Sequence, residues 1–231
     1  PPAMSVMARP HGNPQYVAGV YNDALEFDGD DYVNIDGYKG VLGTHPWSVA
    51  AWFRITDTAT RNIISWGSSS AGQRIELRTN GNVLRANHGN GNVNTKSVVT
   101  DGQWHHVVLT VQEKATCSYP DMIFYLDGRD DTEPGTDPDP LDIVASADVG
   151  IGWRATHSDR YWLGAIDEVV MYDKVLTLEE AVRIMNGDIL PATALASKPK
   201  PANEQTDVPR EVVLSWTPGE FAPQVGGHKI Y

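Results

Sequence analysis

The fold is decided by the stretch Ala24-Leu25-Glu26-Phe27-Asp28-Gly29-Asp30-Asp31-Tyr32-Val33. Apolar and polar residues alternate in it, which is typical of half-buried β-strands. The same character returns in three later segments, Trp47-Ser48-Val49-Ala50-Ala51-Trp52-Phe53, Asp101-Gly102-Gln103-Trp104-His105-His106-Val107-Val108 and Gly164-Ala165-Ile166-Asp167-Glu168-Val169-Val170-Met171-Tyr172. The pattern predicts mostly β structure, with many short strands joined by turns.

Together with Phe124-Tyr125-Leu126-Asp127-Gly128, these segments resemble the bacterial laminin-G-like members of the concanavalin A-like lectin/glucanase superfamily. The resemblance extends over residues 15–187. It implies an all-β fold, in which two antiparallel sheets form a jelly-roll sandwich with a short C-terminal helix. Lectins, adhesion modules and glycanases share this fold, so the function depends on which residues are present to bind or to cut.

Composition excludes several classes of partner and site. The chain of 231 residues has 18 basic and 30 acidic side chains and a net charge of −12, which opposes binding to nucleic acid. Cys117 is its single cysteine, so neither an intrachain disulfide nor a cysteine-based zinc site is expected. No apolar run approaches the ~20 residues that span a bilayer, and we expect no membrane insertion. The start, Pro1-Pro2, suggests the interior of a longer polypeptide, and we expect a secreted or cell-surface protein.

The sequence predicts one large domain and the beginning of another. Residues 1–188 form the predicted sandwich, including one strand over residues 24–35, an acidic surface loop over 127–142 and a terminal helix. Thr177 and Glu180 form the capping box of that helix, which ends near Gly187. A linker over residues 189–200 then leads to a segment, 201–231, that resembles the first strands of a fibronectin type III or immunoglobulin-like module. Such modules need about 100 residues, so this one is incomplete.

No residue pattern supports catalysis. Glycanases of the superfamily place their carboxylates in a Glu-x-Asp-x-Glu strand pattern, which puts them all on one face. That pattern is absent from the sequence, and we expect the protein not to be an enzyme. The pair His105-His106 lies on a predicted strand, where adjacent side chains point to opposite faces, so one metal ion cannot easily take both.

Calcium is the predicted cofactor, with a structural role. Calcium prefers carboxylate and carbonyl oxygens, and Asp28 and Asp30 flank a flexible glycine. The family resemblance implies that Asp28 and Asp167 share a calcium ion between strands from the two ends of the chain. The alternative is that Asp28 caps a turn while Asp167 satisfies a buried backbone group.

Sugar binding is predicted from aromatic rings beside polar groups, because rings stack on pyranose faces while polar groups hold hydroxyls. Residues 85–92 and 153–162 have this character, and Trp66 and Trp153 are predicted to be the exposed tryptophans. The residues predicted to contact ligand are Trp66, Arg74, Arg78, Asn87, His88, Trp153, Arg154, His157 and Tyr161.

The sequence leaves two functions open. The first is a non-catalytic, lectin-like module of a secreted or surface multi-modular bacterial protein, whose partner is an extracellular glycan. The second is a structural or adhesion module, which binds protein partners or assembles in a cell-envelope layer or filament. The C-terminal β segment favours the second, because its open strand edges invite completion by another chain.

Overall fold

The computed structural model describes residues 7–188, 197–200 and 215–217. The chain divides into two compact units, of which the larger is Val6–Asp188. The strands described in this unit are β1 (Met7–His11), β2 (Gln15–Ala18), β3 (Asp23–Asp28), β4 (Tyr32–Asp36), β5 (Trp47–Arg54), β6 (Asn62–Gly67), β7 (Arg74–Asn80), β8 (Val83–Asn87), β9 (Asn92–Thr95), β10 (Trp104–Val111), β11 (Thr116–Ser118), β12 (Met122–Leu126), β13 (Arg129–Asp130), β14 (Thr132–Glu133), β15 (Thr136–Pro140), β16 (Ala147–Ile151) and β17 (Leu163–Tyr172). The helix α1 (Leu178–Met185) follows them.

The strands form the jelly-roll sandwich that the sequence predicted. One sheet has eight strands in the order β1-β4-β16-β6-β7-β8-β9-β14, and the other has seven in the order β13-β12-β10-β5-β17-β3-β2. Neighbouring strands are antiparallel in both sheets, and β11 pairs separately with β15. Strands from distant parts of the chain lie side by side, so residues 30–36 and 147–162 reach the same region of the eight-stranded sheet.

The prediction of one strand over residues 24–35 is wrong, because the chain changes sheets within it. β3 belongs to the seven-stranded sheet and β4 to the eight-stranded sheet. The break falls at Gly29, whose φ of +107° few other residues adopt. Asp31 fixes the turn, since its Oδ1 accepts the N–H of Asn13 at 2.5 Å and its Oδ2 accepts the N–H of Asp28 at 3.3 Å.

Large apolar side chains from both sheets fill the core. The rings of Trp47 and Trp66 meet edge to face, with centroids 4.8 Å apart, and Trp66 Nε1 donates to the carbonyl of Val41 at 3.0 Å. Trp66 is only 1% exposed, so the prediction that it is an exposed ligand-binding ring is wrong. The physical reason is strand phase: Trp66 lies on the core side of β6, whereas Ser65 lies on the other side.

The acidic segment 127–142 is more ordered than the predicted surface loop. β13 extends the edge of the seven-stranded sheet, β14 extends the eight-stranded sheet, and β15 pairs with β11. Asp131 is nearly buried, and its carboxylate accepts hydrogen bonds from the N–H groups of Lys96 and Ser97 at 3.1 and 2.9 Å. The Asp131 carboxylate is therefore hydrogen-bonded to backbone N–H groups and is not solvated.

The predicted capping box of α1 is confirmed. Thr177 Oγ1 accepts the N–H of Glu180 at 3.2 Å, and the Glu180 carboxylate accepts the N–H of Thr177 at 2.9 Å. Regular helix ends at Met185, and Asn186 caps it.

The two neighbouring histidines of β10 lie in different environments. His105 is hydrogen-bonded to Asp127 at 2.8 Å and to Asp101 at 3.1 Å, and these carboxylates raise the pKa of the imidazole. His106 packs against Trp52, with ring centroids 5.1 Å apart, and burial lowers its pKa to about 4. Both rings are therefore accounted for by contacts within the sandwich.

The smaller unit is described only at two strands, β18 (Ser197–Lys200) and β19 (Ser215–Thr217), which pair antiparallel. β18 falls inside the predicted linker, 189–200. The remainder of that linker and of the predicted module, 201–231, lies outside the described residues. The domain boundaries, the immunoglobulin-like module and assembly through this segment stay predictions.

Two glycines with positive φ differ in the space around them. Gly81 follows β7 in the hairpin to β8, in which Asn80 pairs with Val83. Its φ is +61°, and a Cβ added to it would meet no residue other than its chain neighbours within 4 Å. The two loop residues of this hairpin are thus Gly81 and Asn82. Gly164 on β17 has a φ of +137°, and a Cβ there would overlap the carbonyl oxygen of Arg54.

We expect Gly164→Ala to lower the free energy of unfolding by about 3 kcal/mol or more, because backbone strain and overlap with β5 add together. The control Gly81→Ala has only the backbone strain and should cost about 1–2 kcal/mol. Urea denaturation of both variants measures the difference. Equal losses would contradict the close approach of β5 to Gly164.

Candidate functional site

The candidate site is the outer face of the eight-stranded sheet, the face that points away from the core. Strand alternation puts polar or aromatic side chains there, while residues such as Ile75 and Leu77 point inward. Among the outward residues are Arg9 and His11 on β1, Tyr32, Asn34 and Asp36 on β4, Ser65 on β6, Arg74, Glu76 and Arg78 on β7, and Arg85 and Asn87 on β8.

Residues 152–162, here called the covering loop, connect β16 to β17 and lie over the middle of this face. The loop is tied to β6 by backbone bonds, since the N–H of Gly152 donates to the carbonyl of Ile63 at 2.8 Å and the N–H of Asn62 donates to the carbonyl of Arg160 at 2.9 Å. Ser65 Oγ also donates to the carbonyl of Trp153 at 3.0 Å. The loop divides the face into an aromatic half and a basic half.

The aromatic half is a row of four half-buried rings, here called the aromatic wall: His11, Tyr32, Trp153 and Tyr161. Tyr32 stacks on His11 with centroids 4.4 Å apart, and on Trp153 with centroids 4.1 Å apart. The ring centroids of Tyr161 and Trp153 lie 6.1 Å apart, and the two ring planes are inclined by 19°. Gly150 makes room for Trp153, because a Cβ on it would lie only 2.7 Å from Trp153 Cδ1.

An open groove of about 380 Å³ lies against the aromatic wall. It is lined by Arg9, His11, Tyr32, Asn34, Asp36 and Trp153. The Arg9 and Asp36 side chains pair at 2.7 Å, and Asn34 Nδ2 donates to Asp36 Oδ1 at 2.9 Å. The hydrogen bonds from Asn34 and Arg9 lower the pKa of Asp36, which is therefore ionised at neutral pH. The groove thus combines apolar ring surface with charged and amide groups.

The basic half surrounds one buried carboxylate. Glu76 has no exposed surface, although it lies on the outer face, because the covering loop lies over it. Four guanidinium groups approach it: Arg160 at 2.5 Å, Arg74 at 3.0 Å, Arg78 at 3.5 Å and Arg154 at 3.7 Å. Two of them come from β7 itself and two from the covering loop, so Glu76 holds the loop to the sheet.

Positive charge exceeds negative charge around Glu76. Asp159 is the second acid, and it accepts hydrogen bonds from both Nε and Nη2 of Arg154. Arg85 pairs with Arg78 directly across β7 and β8, an arrangement that like charges normally disfavour. Burial and the neighbouring cations, first among them Arg160, lower the pKa of Arg78 to about 10, although Glu76 opposes this change. We call Arg74, Arg78, Arg85, Arg154 and Arg160 the arginine cluster.

The structure brings together most of the residues that the sequence singled out for sugar binding. Arg74, Arg78 and Arg154 belong to the arginine cluster, and Trp153 and Tyr161 to the aromatic wall. Asn87 lies on the outer face of β8, opposite Glu76, and the exposed His157 lies on the covering loop. His88 is a correction: it is fully buried, and its Nδ1 accepts the N–H groups of Asn90 and Gly91 at 3.4 Å in a turn.

Several residues of the face were not predicted from the sequence. Tyr32, Asn34 and Asp36 alternate with apolar residues on β4, and this alternation was a signal that could have placed them on one outer face. His11 and Arg9 gave no such signal, because their position depends on the pairing of β1 with β4.

Of the three predicted calcium residues, Asp28 and Asp30 lie together, whereas Asp167 does not join them. Asp28 pairs with Leu163 at one end of β3, whereas Asp167 lies four residues further along β17, about 13 Å away at the strand rise. The Asp167 carboxylate accepts the N–H groups of Val20 and Tyr21 at 2.9 and 3.3 Å, which is the alternative role, satisfaction of a buried backbone group.

At the β3–β4 turn, Asp31 joins the two predicted residues Asp28 and Asp30 in an acidic group. Carboxylate oxygens of Asp28, Asp30 and Asp31 lie within 4.8 Å of one another, so this group could hold a cation. A hydrogen bond to Asp28 and the repulsion of its charge raise the pKa of Asp30. Asp28 and Asp30 are exposed, while Asp31 is buried and already accepts backbone N–H groups.

Comparison with known proteins agrees with this architecture. Residues 27–182 match a laminin G family model described as concanavalin A-like lectin/glucanases superfamily. The chain belongs to this superfamily. No curated protein matches the chain in sequence.

Solved structures with the same fold include two sugar complexes. Domain 4 of AbnA, an extracellular arabinanase of Geobacillus stearothermophilus bound to arabinotriose, superposes with a TM-score of 0.58 at 20% identity, over 75% of this superfamily member and 82% of that chain. The CBM40 of the Ruminococcus gnavus IT-sialidase, bound to α2,3-sialyllactose, gives 0.53 at 14% identity, over 70% and 95%.

A toxin domain has the fold as well. The receptor-binding domain of botulinum neurotoxin mosaic serotype C/D gives a TM-score of 0.53 at 18% identity, over 80% of this chain and 46% of that one. At these identities the similarity concerns the fold.

The helix described in this superfamily member is too short to cross a membrane, and the described residues contain no apolar helix of the length required.

We expect Glu76→Gln to lower the free energy of unfolding by about 3 kcal/mol or more, because the buried arginines lose their shared counter-charge. The control Glu113→Gln removes an exposed carboxylate and should change stability by less than about 0.5 kcal/mol. Chemical denaturation of both variants tests this. Equal stabilities would show that Glu76 does not hold the covering loop.

Proposed function

We propose that residues 7–188 form a non-catalytic carbohydrate-binding module, whose site is the groove along the aromatic wall. The observation that carries the proposal is the juxtaposition of stacked rings with convergent polar side chains. Sugar rings present apolar C–H faces and hydroxyl edges, so a site needs both kinds of surface. Trp153 and His11 supply ring surface to the groove, while Arg9, Asn34 and Asp36 supply donors and acceptors.

The absence of catalysis is part of this proposal. Glycoside hydrolysis ordinarily requires two carboxyl groups on either side of the scissile bond, one of them protonated. Asp36 is the single acid among the residues that line the groove, and its low pKa and pairing with Arg9 keep it ionised. Such a group can accept hydrogen bonds from hydroxyls but is poorly suited to donate a proton.

The fold comparisons support the proposal indirectly. Two structures with this fold were solved with arabinotriose and with sialyllactose, which shows that the sandwich can present a sugar site. We place the protein at the cell surface or outside the cell, as one module of a larger bacterial protein, because the arabinanase whose domain 4 has this fold is extracellular. The toxin receptor-binding domain leaves protein recognition as the second candidate.

Calcium is proposed to stiffen the turn before the aromatic wall. Asp28, Asp30 and Asp31 offer hard oxygen donors, which suit calcium, and the raised pKa of Asp30 indicates repulsion that a cation would relieve. Asp31 is next to Tyr32 in the chain and binds the backbone of Asn13, which follows β1. An ion here would order the two strands that carry His11 and Tyr32 without contacting sugar.

We expect the full chain to bind at least one glycan class on an array, and Trp153→Ala to abolish that binding because the central ring of the wall is lost. Gly150→Ala is a sharper test, since it keeps the ring but displaces it. Tyr16→Ala, a 75% exposed ring on the edge of the other sheet, is the control and should bind normally. Isothermal titration calorimetry then quantifies each variant.

Glycan binding that survives both Trp153→Ala and Gly150→Ala would contradict the location of the site. An absence of binding to every glycan tested would contradict the proposed function and favour protein recognition.

We expect 1 mM calcium to raise the melting temperature relative to EDTA, because an ion that binds only the folded state stabilises it. Asp30→Asn should remove this shift, whereas Asp23→Asn, an exposed acid at the other end of β3, should keep it. Differential scanning fluorimetry gives the readout. An equal calcium shift in the wild type and Asp30→Asn would place the ion elsewhere.

A further inference from the structure

We propose that the arginine cluster is a subsite for an anionic group, so that the preferred ligand is an acidic saccharide carrying a carboxylate or a sulfate. This inference rests on the proposed function and specifies its ligand class. The aromatic wall would hold the sugar ring, and the cluster would bind its charged substituent.

The charge balance of the cluster favours an anionic ligand. Five arginines meet two acids, Glu76 and Asp159, in a chain whose net charge is −12. The cross-strand pair Arg78–Arg85 adds repulsion, which contributes to the lowered pKa of Arg78 although Glu76 opposes it. If the cluster served only to hold the loop, a carboxylate with two partners would suffice. An incoming anion would supply the missing negative charge.

The cluster also has unused donor capacity. Arg78 Nε is buried and makes no hydrogen bond to any described residue, although Glu76 lies 3.5 Å away. The Arg160 side chain is 28% exposed, and its Nη1 donates a hydrogen bond to the Glu76 carboxylate. A guanidinium has five N–H donors in a planar fork, which suits carboxylate and sulfate oxygens. Arg160 is therefore the most accessible donor among the four arginines around Glu76.

The cluster lies next to the aromatic wall. Arg154 follows Trp153 in the chain, and Arg160 precedes Tyr161. Each end of the covering loop thus carries an aromatic ring and an arginine on adjacent residues, whose Cα atoms are about 3.8 Å apart. A sugar that contacts the aromatic wall can therefore place a substituent at the arginine cluster without a long linker.

The amide groups of the neighbouring strands extend the polar surface. Asn87 lies opposite Glu76 on β8, and Asn94 on β9 accepts a hydrogen bond from Arg85 Nε at 2.8 Å. These side chains can bind hydroxyls of further sugar units. The outer face could thus accommodate an oligosaccharide that runs from β4 towards β9.

The test compares charged and neutral forms of the same sugar on the full chain by calorimetry. The probes are α-1,4-linked trigalacturonate and its full methyl ester for carboxylate, and, for sulfate, a κ-carrageenan tetrasaccharide, whose sugars carry sulfate but no carboxylate, and its desulfated form. We expect one acidic probe to bind about tenfold or more tightly than its neutral partner, which corresponds to about 1.4 kcal/mol from charge-assisted hydrogen bonds. The favoured pair distinguishes carboxylate from sulfate.

The decisive variant is Arg160→Gln, because Arg160 is the most exposed of the four arginines around Glu76. It should reduce the preference for the acidic probe, which is the ratio of the two affinities and so cancels any change common to both probes, to within about twofold. Arg160→Lys should restore part of the preference, since it restores the charge. The control Arg183→Gln, an exposed arginine on α1, should behave as the wild type.

The outcomes separate the two proposals. Neutral glycan binding that depends on Trp153, with no preference for either acidic probe or with an unchanged preference in Arg160→Gln, would overturn the anionic subsite and leave the proposed function intact. No binding of any glycan would overturn both. A melting temperature for Arg160→Gln close to that of the wild type excludes unfolding as the cause of a lost preference.

Discussion

The candidate site depends on the burial of one carboxylate among several arginines. Burying the Glu76 carboxylate alone would be strongly unfavourable. Burying Arg74 and Arg78 without that carboxylate as their counter-charge would be equally unfavourable. The covering loop brings Arg154 and Arg160 to the same carboxylate. The ion pairs and the loop conformation therefore require each other, and the loop in turn positions the rings on its other side.

This arrangement explains how one sandwich presents two different surfaces on a single sheet. The loop is fixed to β6 near both of its ends, its aromatic side faces β4 and its basic side faces β7. The jelly-roll scaffold supplies rigid strands at regular spacing, and surface loops in general vary more than the strands that they join. A related sandwich with another loop could keep the core while binding a different ligand, which is why superfamily membership alone leaves the function open.

Much of the fold could be predicted from the sequence because strand alternation and helix capping are local signals. Thr177 and Glu180 gave the helix start directly, whereas the change of sheets at Gly29 depends on long-range hydrogen bonds to Asp31. The site was less predictable for the same reason. The arginine-rich and aromatic segments were recognisable by composition, but Trp66 was placed outside because strand phase, which the bulge in β6 disturbs, cannot be read from residue type.

Binding of an acidic saccharide to the outer face of the eight-stranded sheet, across the covering loop, can be observed directly. The decisive experiment is a crystal structure of the full chain with trigalacturonate or the κ-carrageenan tetrasaccharide, whichever binds. We expect a sugar ring against Trp153 and a carboxylate or sulfate within hydrogen-bonding distance of Arg160. Sugar bound at the seven-stranded sheet or at the Asp28–Asp31 turn, with the arginine cluster uncontacted, would contradict the proposed site.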